Sequence, residues 1–407
     1  MAAAHPVPGI GEPDDYAQAR ELLTGPAAEV IMVPQTVEGH DRPAAERAAE
    51  TDARWRVALE HGGDRPIQFL AGGQYLLQRY AAGAVAARAV LEAAADARRA
   101  GMPRMLPPGF LAAAAQDYLP DAEYDLLAPS ARGSWVERVI ETDLAIGARG
   151  LPGPLRLPRG GEGYELADYL EQHLLRERAT VQPADSAWRA AIGWAEPAVL
   201  TQLGTAAALR GRFRPAAALF EAAIAAGETT GLRNLAWIYE NAGEFERAAE
   251  LCERSAGAWV PYARERLAEK AAAGYTTMDF RMWWADTEEG TRENGEWLGD
   301  DDALYEYSTR VEARLAAGDS HGADRVAAEA AADGWLAPLA DLASTREKAG
   351  DLAGAARTWR MSVATGNMFR LLNLAGLREA SGDEAGGDLI VRYGITVDGE
   401  PEPGLGV

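Results

Sequence analysis

The sequence predicts an all-α protein, with an N-terminal helical domain followed by an α-solenoid of about six stacked helical hairpins. Three observations lead there. Hydrophobic residues make up 48% of the 407 residues but aromatics only 8%, so the core must be built mostly from Ala, Leu and Val. Alanine buries little surface and is the strongest helix former. A Leu-small pair and a turn glycine recur through the second half at a spacing of 32. Between them, apolar residues fall at i, i+3, i+4 and i+7, the single stripe of an amphipathic helix.

The elements follow in order. Residues 1–44 are rich in Pro and Gly and carry only a short apolar run, Val30–Val33. Helices are expected at about 43–61, 66–81 and 84–100, the last closed by Gly101 and Pro103, then at 107–116 and 130–147. Gly150–Pro158 and Tyr164–Ala167 flank the glycine-rich Arg159–Gly163, a strand–turn–strand pattern. A helix over Tyr164–Arg178 ends this region, 45–190. Helices followed by a two-stranded wing resemble the winged-helix arrangement.

The repeat occupies 196–395, with a tail at 396–407. Leu203-Gly204, Leu235-Ala236, Leu267-Ala268, Leu342-Ala343 and Leu374-Ala375 are spaced by 32, 32, 75 and 32. The turn glycines 211, 243, 274, 318, 350 and 382 are spaced by 32, 31, 44, 32 and 32, so an insertion of twelve residues lies in the third interval. In the second unit Leu232, Leu235, Ala236 and Tyr239 form one stripe, Gly243 breaks the helix, and Phe245, Ala248, Ala249 and Cys252 restart it. Neither helix buries its stripe alone, so the units must stack. Leu235-Ala236, Tyr239, Gly243-Glu244-Phe245 and Ala248 resemble the tetratricopeptide consensus, as do Gly211–Phe213 with Ala216 and Gly350–Leu352 with Ala355.

Ile67–Ala71, Ala86–Gly101, Leu106–Leu119 and Tyr164–His173, taken with these repeats, are similar to the part that follows the ATPase in actinobacterial STAND-type regulators. That resemblance implies a winged helix relaying the state of a P-loop ATPase, and repeats sensing a partner. A P-loop needs a lysine on the phosphates. The only lysines, Lys270 and Lys348, follow no phosphate loop, so the engine is absent from these residues.

Chemistry is sparse. The five histidines form no metal-spaced pair, Cys252 falls on a core position and has no cysteine partner, and no nucleophile elbow occurs. The expectation is therefore no catalytic residue, no cofactor and no metal. A net charge of −22 repels phosphate backbones and anionic lipid. With no basic leader and no long apolar run, the chain is expected to be cytoplasmic.

The function expected is a protein-binding adaptor or sensor whose partner is another protein or a peptide. Groove positions are Arg233, Asn234, Trp237 and Asn241 of the second unit and Arg264 of the third, a set suited to a peptide carboxylate and its neighbouring side chains. An insertion at about 284–302 combines acids with tryptophans, and Trp284, Trp297, Asp300 and Asp301 suit a basic partner. The main alternative is a winged-helix DNA-binding regulator using Arg149, Arg156 and Arg159 of the wing with Ser130, Arg132, Ser134 and Arg138. A third is an all-α enzyme binding magnesium diphosphate through Asp300–Asp302 and Glu306, but it lacks a second metal motif.

Overall fold

The computed structural model describes residues 41–52, 72–147, 153–255 and 301–406, with Val37 and positions 55–56, 58–59, 265, 267–270 and 272. The chain forms two compact units, Met1–Tyr75 and Leu76–Val407. All-α architecture is confirmed: apart from two short strands and two isolated bridges, the regular structure described is helical. No helix among the described residues is long and apolar enough to cross a membrane.

In the first unit, helix α1 (Arg42–Thr51) buries Ala45 and Ala49, one turn apart, against Val37 and Leu59. Trp55 packs on this cluster, and its indole N–H donates to the Ala45 carbonyl at 2.8 Å. Helix α2 (Gly73–Ala81) begins as this unit ends. The run Val30–Val33 and the first residues of the helix expected over 66–81, up to 71, lie outside the described residues.

The second unit is centred first on α3 (Val85–Ala100), whose alanines let neighbours approach closely. Gly101, with a φ of 116°, ends it, and the Met102 N–H closes back on the Ala97 carbonyl. Helices α4 (Pro108–Ala114), α5 (Asp121–Leu126), α6 (Trp135–Val139), α7 (Asp168–Glu177) and α8 (Asp185–Trp194) follow, and α4, α6, α7 and α8 pack on α3. The expected strand–turn–strand is present as β1 (Leu155–Arg156) and β2 (Glu165–Leu166), antiparallel with Leu155 opposite Leu166. The single helix expected over 130–147 is instead a 3-10 turn at Pro129–Ser134, then α6, then a π turn at Ile140–Leu144. Widening the turn, with the Ala145 N–H reaching the Ile140 carbonyl, keeps Ile140 and Leu144 both in the core.

Five hairpins are described in the repeat region: α9 (Pro197–Leu209) with α10 (Phe213–Ala225), α11 (Leu232–Ala242) with α12 (Phe245–Arg254), α13 (Asp301–Ala316) with α14 (Ser320–Ala332), α15 (Ala337–Lys348) with α16 (Leu352–Ala364), and α17 (Leu371–Ala380) with α18 (Glu384–Tyr393). The described turn glycines expected from the spacing, at 211, 243, 318, 350 and 382, all have φ between 69° and 87°. Neighbouring hairpins stack through α10–α11, α14–α15 and α16–α17.

Two features differ from a plain open stack. The expected break near 190–196 falls inside the second unit, because α8 packs on α3 and α4 as well as on α9 and α10. The end of the chain also returns to its first hairpins: α18 packs on α11, and the Ile395 N–H donates to the Gly211 carbonyl at 2.9 Å. Residues 396–407, expected as a trailing tail, carry buried Glu402 and Leu405 beside the buried Ile395. A last hairpin with an uncovered apolar face must be capped, and closure onto α10 and α11 does this.

Candidate functional site

The expected groove set on α11 is only partly on display. Trp237 and Asn241 are 6% and 2% exposed, while Arg233 and Asn234 are half-buried. Trp237 meets Phe213 edge to face at 5.3 Å, and Asn234 donates to Thr205 at 3.3 Å. The surroundings are tertiary: α10 and α18 both pack on α11, and Arg392 of α18 donates to the Ala242 carbonyl at 2.8 Å. Among the described residues, neither side-chain polar atom of Asn241 has a hydrogen-bond partner. Arg264, Trp284, Trp297 and Asp300 lie outside the described residues, and Asp301 is placed only as the first residue of α13.

Stacking creates a second kind of site that the sequence reading missed. Among the described residues, three interfaces between one hairpin's second helix and the next hairpin have a slot at equivalent positions, and each builds it differently. In the first, Arg346 of α15 is 3% exposed and donates to Asp324 at 2.5 Å, to the Ser320 hydroxyl at 2.6 Å and to Thr358. A buried guanidinium is tolerated only where an acid and further hydrogen bonds offset its desolvation, as Asp324, Ser320 and Thr358 do here.

Thirty-two residues on, Arg378 of α17 occupies the same place, but Ser320, Asp324 and Thr358 are replaced by Leu352, Ala356 and Ile390. The lost polar socket leaves a cavity of about 260 Å³. The tail reaches it: Glu400 accepts from Arg360 at 3.0 Å and from Arg378, and the backbone of Gly399 lies against the Arg360 stem.

In the third version Tyr239 of α11 stands where Arg346 does, with Phe213, Ala217 and Leu251 as its socket. The Tyr239 hydroxyl donates to Glu221, Arg247 lies 3.9 Å over its ring, and Arg247 also pairs with Glu221 and Glu244. Burial, then the hydrogen bond to Glu221, push the Tyr239 hydroxyl above its ordinary pKa. Beside it is an open cleft of about 390 Å³, with Ile224, Leu235 and Leu251 as apolar walls and Glu250 and Arg254 at the rim.

Sequence signals for these slots existed. Arg314, Arg346 and Arg378 recur every 32 residues, each five before Asp319, Asp351 or Asp383, which in turn precede Gly322, Gly354 and Gly386 by three. Each Asp caps the following helix by accepting from that glycine's N–H at 2.8–2.9 Å. A Cβ on Gly354 would overlap the Asp351 carboxylate, which is why glycine stands there.

In the N-terminal part of this unit Arg156 of β1 pairs with Glu165 at 2.6 Å, and Arg104 pairs with Glu165 at 2.7 Å. Arg149 is outside the described residues; Ser130, Ser134, Arg138 and Arg159 are exposed, and Arg132 pairs with Asp125. Asp96, a lone acid in the alanine stripe of α3, is fully buried. It accepts from Arg178 at 2.7 and 3.0 Å, from Arg99 at 3.1 Å and from Tyr118 at 2.9 Å. Burial, then Asp96, raise the Tyr118 hydroxyl well above its ordinary pKa. This network ties α3 to the chain leaving α7, so its chemistry serves packing.

Among the described residues no group of three or more His, Cys, Asp or Glu side chains could hold a metal ion. Cys252 is buried at its core position. Compared with known proteins, the chain matches no family model, no curated protein and no solved structure.

Proposed function

We propose that the protein is a non-enzymatic adaptor or sensor that binds a peptide segment of another protein in the clefts between its helical hairpins. The observation that carries this reading is the open α10–α12 cleft. Its apolar walls suit one partner side chain, and Glu221, Tyr239 and Arg247 hold one another rigidly beside it. A rigid, pre-formed pocket spends little binding energy on ordering itself. The resemblance to STAND-type sensors adds an expectation that the partner is a separately encoded ATPase or enzyme. Arg156 speaks against the DNA-binding reading, because its charge is already matched by Glu165.

The test is a peptide-display selection on the folded protein, followed by titration of the enriched sequences. Peptides with an apolar anchor are expected to bind, and Ile224→Arg is expected to weaken them at least tenfold with unchanged circular dichroism. Enriched peptides indifferent to Ile224→Arg would move the site elsewhere. The expected contact through the insertion has its own test. Trp297→Ala would weaken a natural partner by about 2 kcal/mol, the cost of losing an aromatic anchor.

A further inference from the structure

We infer that the slot between α16, α17 and α18 is a carboxylate-reading site for an acidic segment of a partner protein, and that the strap from Gly394 to Gly406 lies across its mouth as an internal ligand. It rests on the binding-module reading for its biological sense, while its geometry is independent of the α10–α12 cleft.

The repeat itself supplies the argument. Arg346 finds its acid on the neighbouring helix, in Asp324. Arg378 does not, because the matching position is Ala356 and the rest of the socket is Leu352 and Ile390. It pairs with its own capping residue, Asp383, at 3.1 Å, and with Glu400, delivered from outside the hairpins. Arg360 supplies the second guanidinium, so one carboxylate is gripped from two helices.

The occupant has the character of a bound peptide. Pro401 and Pro403 with Gly399, Gly404 and Gly406 exclude a helix. Thr396 N–H donates to the Glu400 carbonyl at 2.8 Å, and Ile395 bridges Pro401, so the strap folds as a small turn that presents Glu400. A second acid, Glu402, pairs with Arg214 of α10 at 3.3 Å. Ile395 and Leu405 of the strap are buried.

Its grip on the slot is weak by construction. The Glu400 side chain is 51% exposed and those of Arg360 and Arg378 are 36% and 28% exposed. Ion pairs so open to solvent contribute little and are screened by salt. A segment held this way can exchange with a competitor carrying the same acids, whereas Asp324, on a helix of the stack, cannot leave Arg346.

The probe is a fluorescent peptide with the sequence of residues 394–407, titrated by anisotropy into the full chain. The wild-type chain is expected to bind it weakly, because the strap competes in cis. Glu400→Ala with Glu402→Ala is expected to bind it at least tenfold more tightly, and adding Arg378→Ala is expected to abolish that gain. A probe with both glutamates changed to glutamine should not compete. Absence of any gain in the folded double variant would overturn the inference. So would a gain that survives Arg378→Ala. If dimers by light scattering accompany the gain, the strap exchanges between copies and the partner assignment fails. Should the double variant not fold, hydrogen exchange on the wild-type chain decides. Ile395, Thr396 and Glu402 amides should exchange faster than those of α16 and α17, and faster still in 0.5 M salt, on the order of the screening expected for exposed pairs. Protection equal to those helices at both salt levels would make the strap a permanent part of the core. Ile224→Arg should leave the probe's binding unchanged, so failure here and failure at the α10–α12 cleft are separable.

Discussion

Arg346 and Arg378 stand 32 residues apart, on the same turn of equivalent helices, and their fates differ. Arg346 is sealed in a polar socket of Ser320, Asp324 and Thr358. Arg378 faces Leu352, Ala356 and Ile390 and leans on an acid brought by the tail. In α11 the position is Tyr239 over an apolar socket, with an open cleft alongside. One backbone slot thus serves as a buried lock, as a docking point and as a pocket. The stacking of hairpins sets where the slot lies, and three socket residues set what it does.

The largest expected effect lies in the apolar version. Phe213 takes the place of Ser320, is fully buried, and touches Trp237. Phe213→Ala should cost about 3–5 kcal/mol by denaturant unfolding, the usual range for losing a buried aromatic ring. A cost under 1 kcal/mol would show that the α18 return does not depend on this packing.

Next comes the direct contrast of the two arginines. Arg346→Ala should destabilise by about 3 kcal/mol, because it leaves a largely buried Asp324 carboxylate with Arg357 alone. Arg378→Ala should cost less than about 1 kcal/mol, as its pairs are half exposed. Equal costs in matched urea titrations would dissolve the distinction between lock and docking point.

The caps offer a smaller contrast. Asp351 accepts from Gly354, whereas Glu244, at the matching turn of α11 and α12, makes no capping bond. Asp351→Ala should cost about 1 kcal/mol and Glu244→Ala a few tenths, read from the same titrations. Ala356→Asp would rebuild a socket acid for Arg378. It should change stability by no more than about 0.5 kcal/mol while releasing Glu400, seen as faster amide exchange in the strap.

The smallest effect concerns acid. The Gly322 N–H holds Asp319 below its ordinary pKa of 3.8, and the Gly386 N–H, then Arg378, do the same for Asp383. A carboxyl whose pKa is lower in the folded state stabilises fully above 3.8 and loses that contribution as pH falls through the folded value. Asp319→Asn and Asp383→Asn should therefore narrow the drop in melting temperature below about pH 4 and leave the curve at pH 7 nearly parallel to wild type. Identical acid limbs would mean that these caps carry no protonation-linked stability.

The residue order by itself determined the all-helical architecture and the places of the described hairpin turns. Both depend on short-range physics: alanine-rich stripes propagate helix, and a glycine with positive φ ends it wherever it stands. It also carried the Arg–Asp–Gly signature of the last three units, legible as a strict period although its role was not. Tertiary structure alone decided which faces remain open. Trp237 and Asn241 occupy outward positions of an isolated hairpin, yet both are buried in the stack, where α10 and α18 pack on α11. The tail carries no helical period, but Ile395 and Leu405 are buried, and the Ile395 N–H reaches the Gly211 carbonyl of a hairpin distant in sequence. Periodicity reports what a helix can bury. What it does bury depends on contacts between residues whose separation in the chain leaves no local pattern to read.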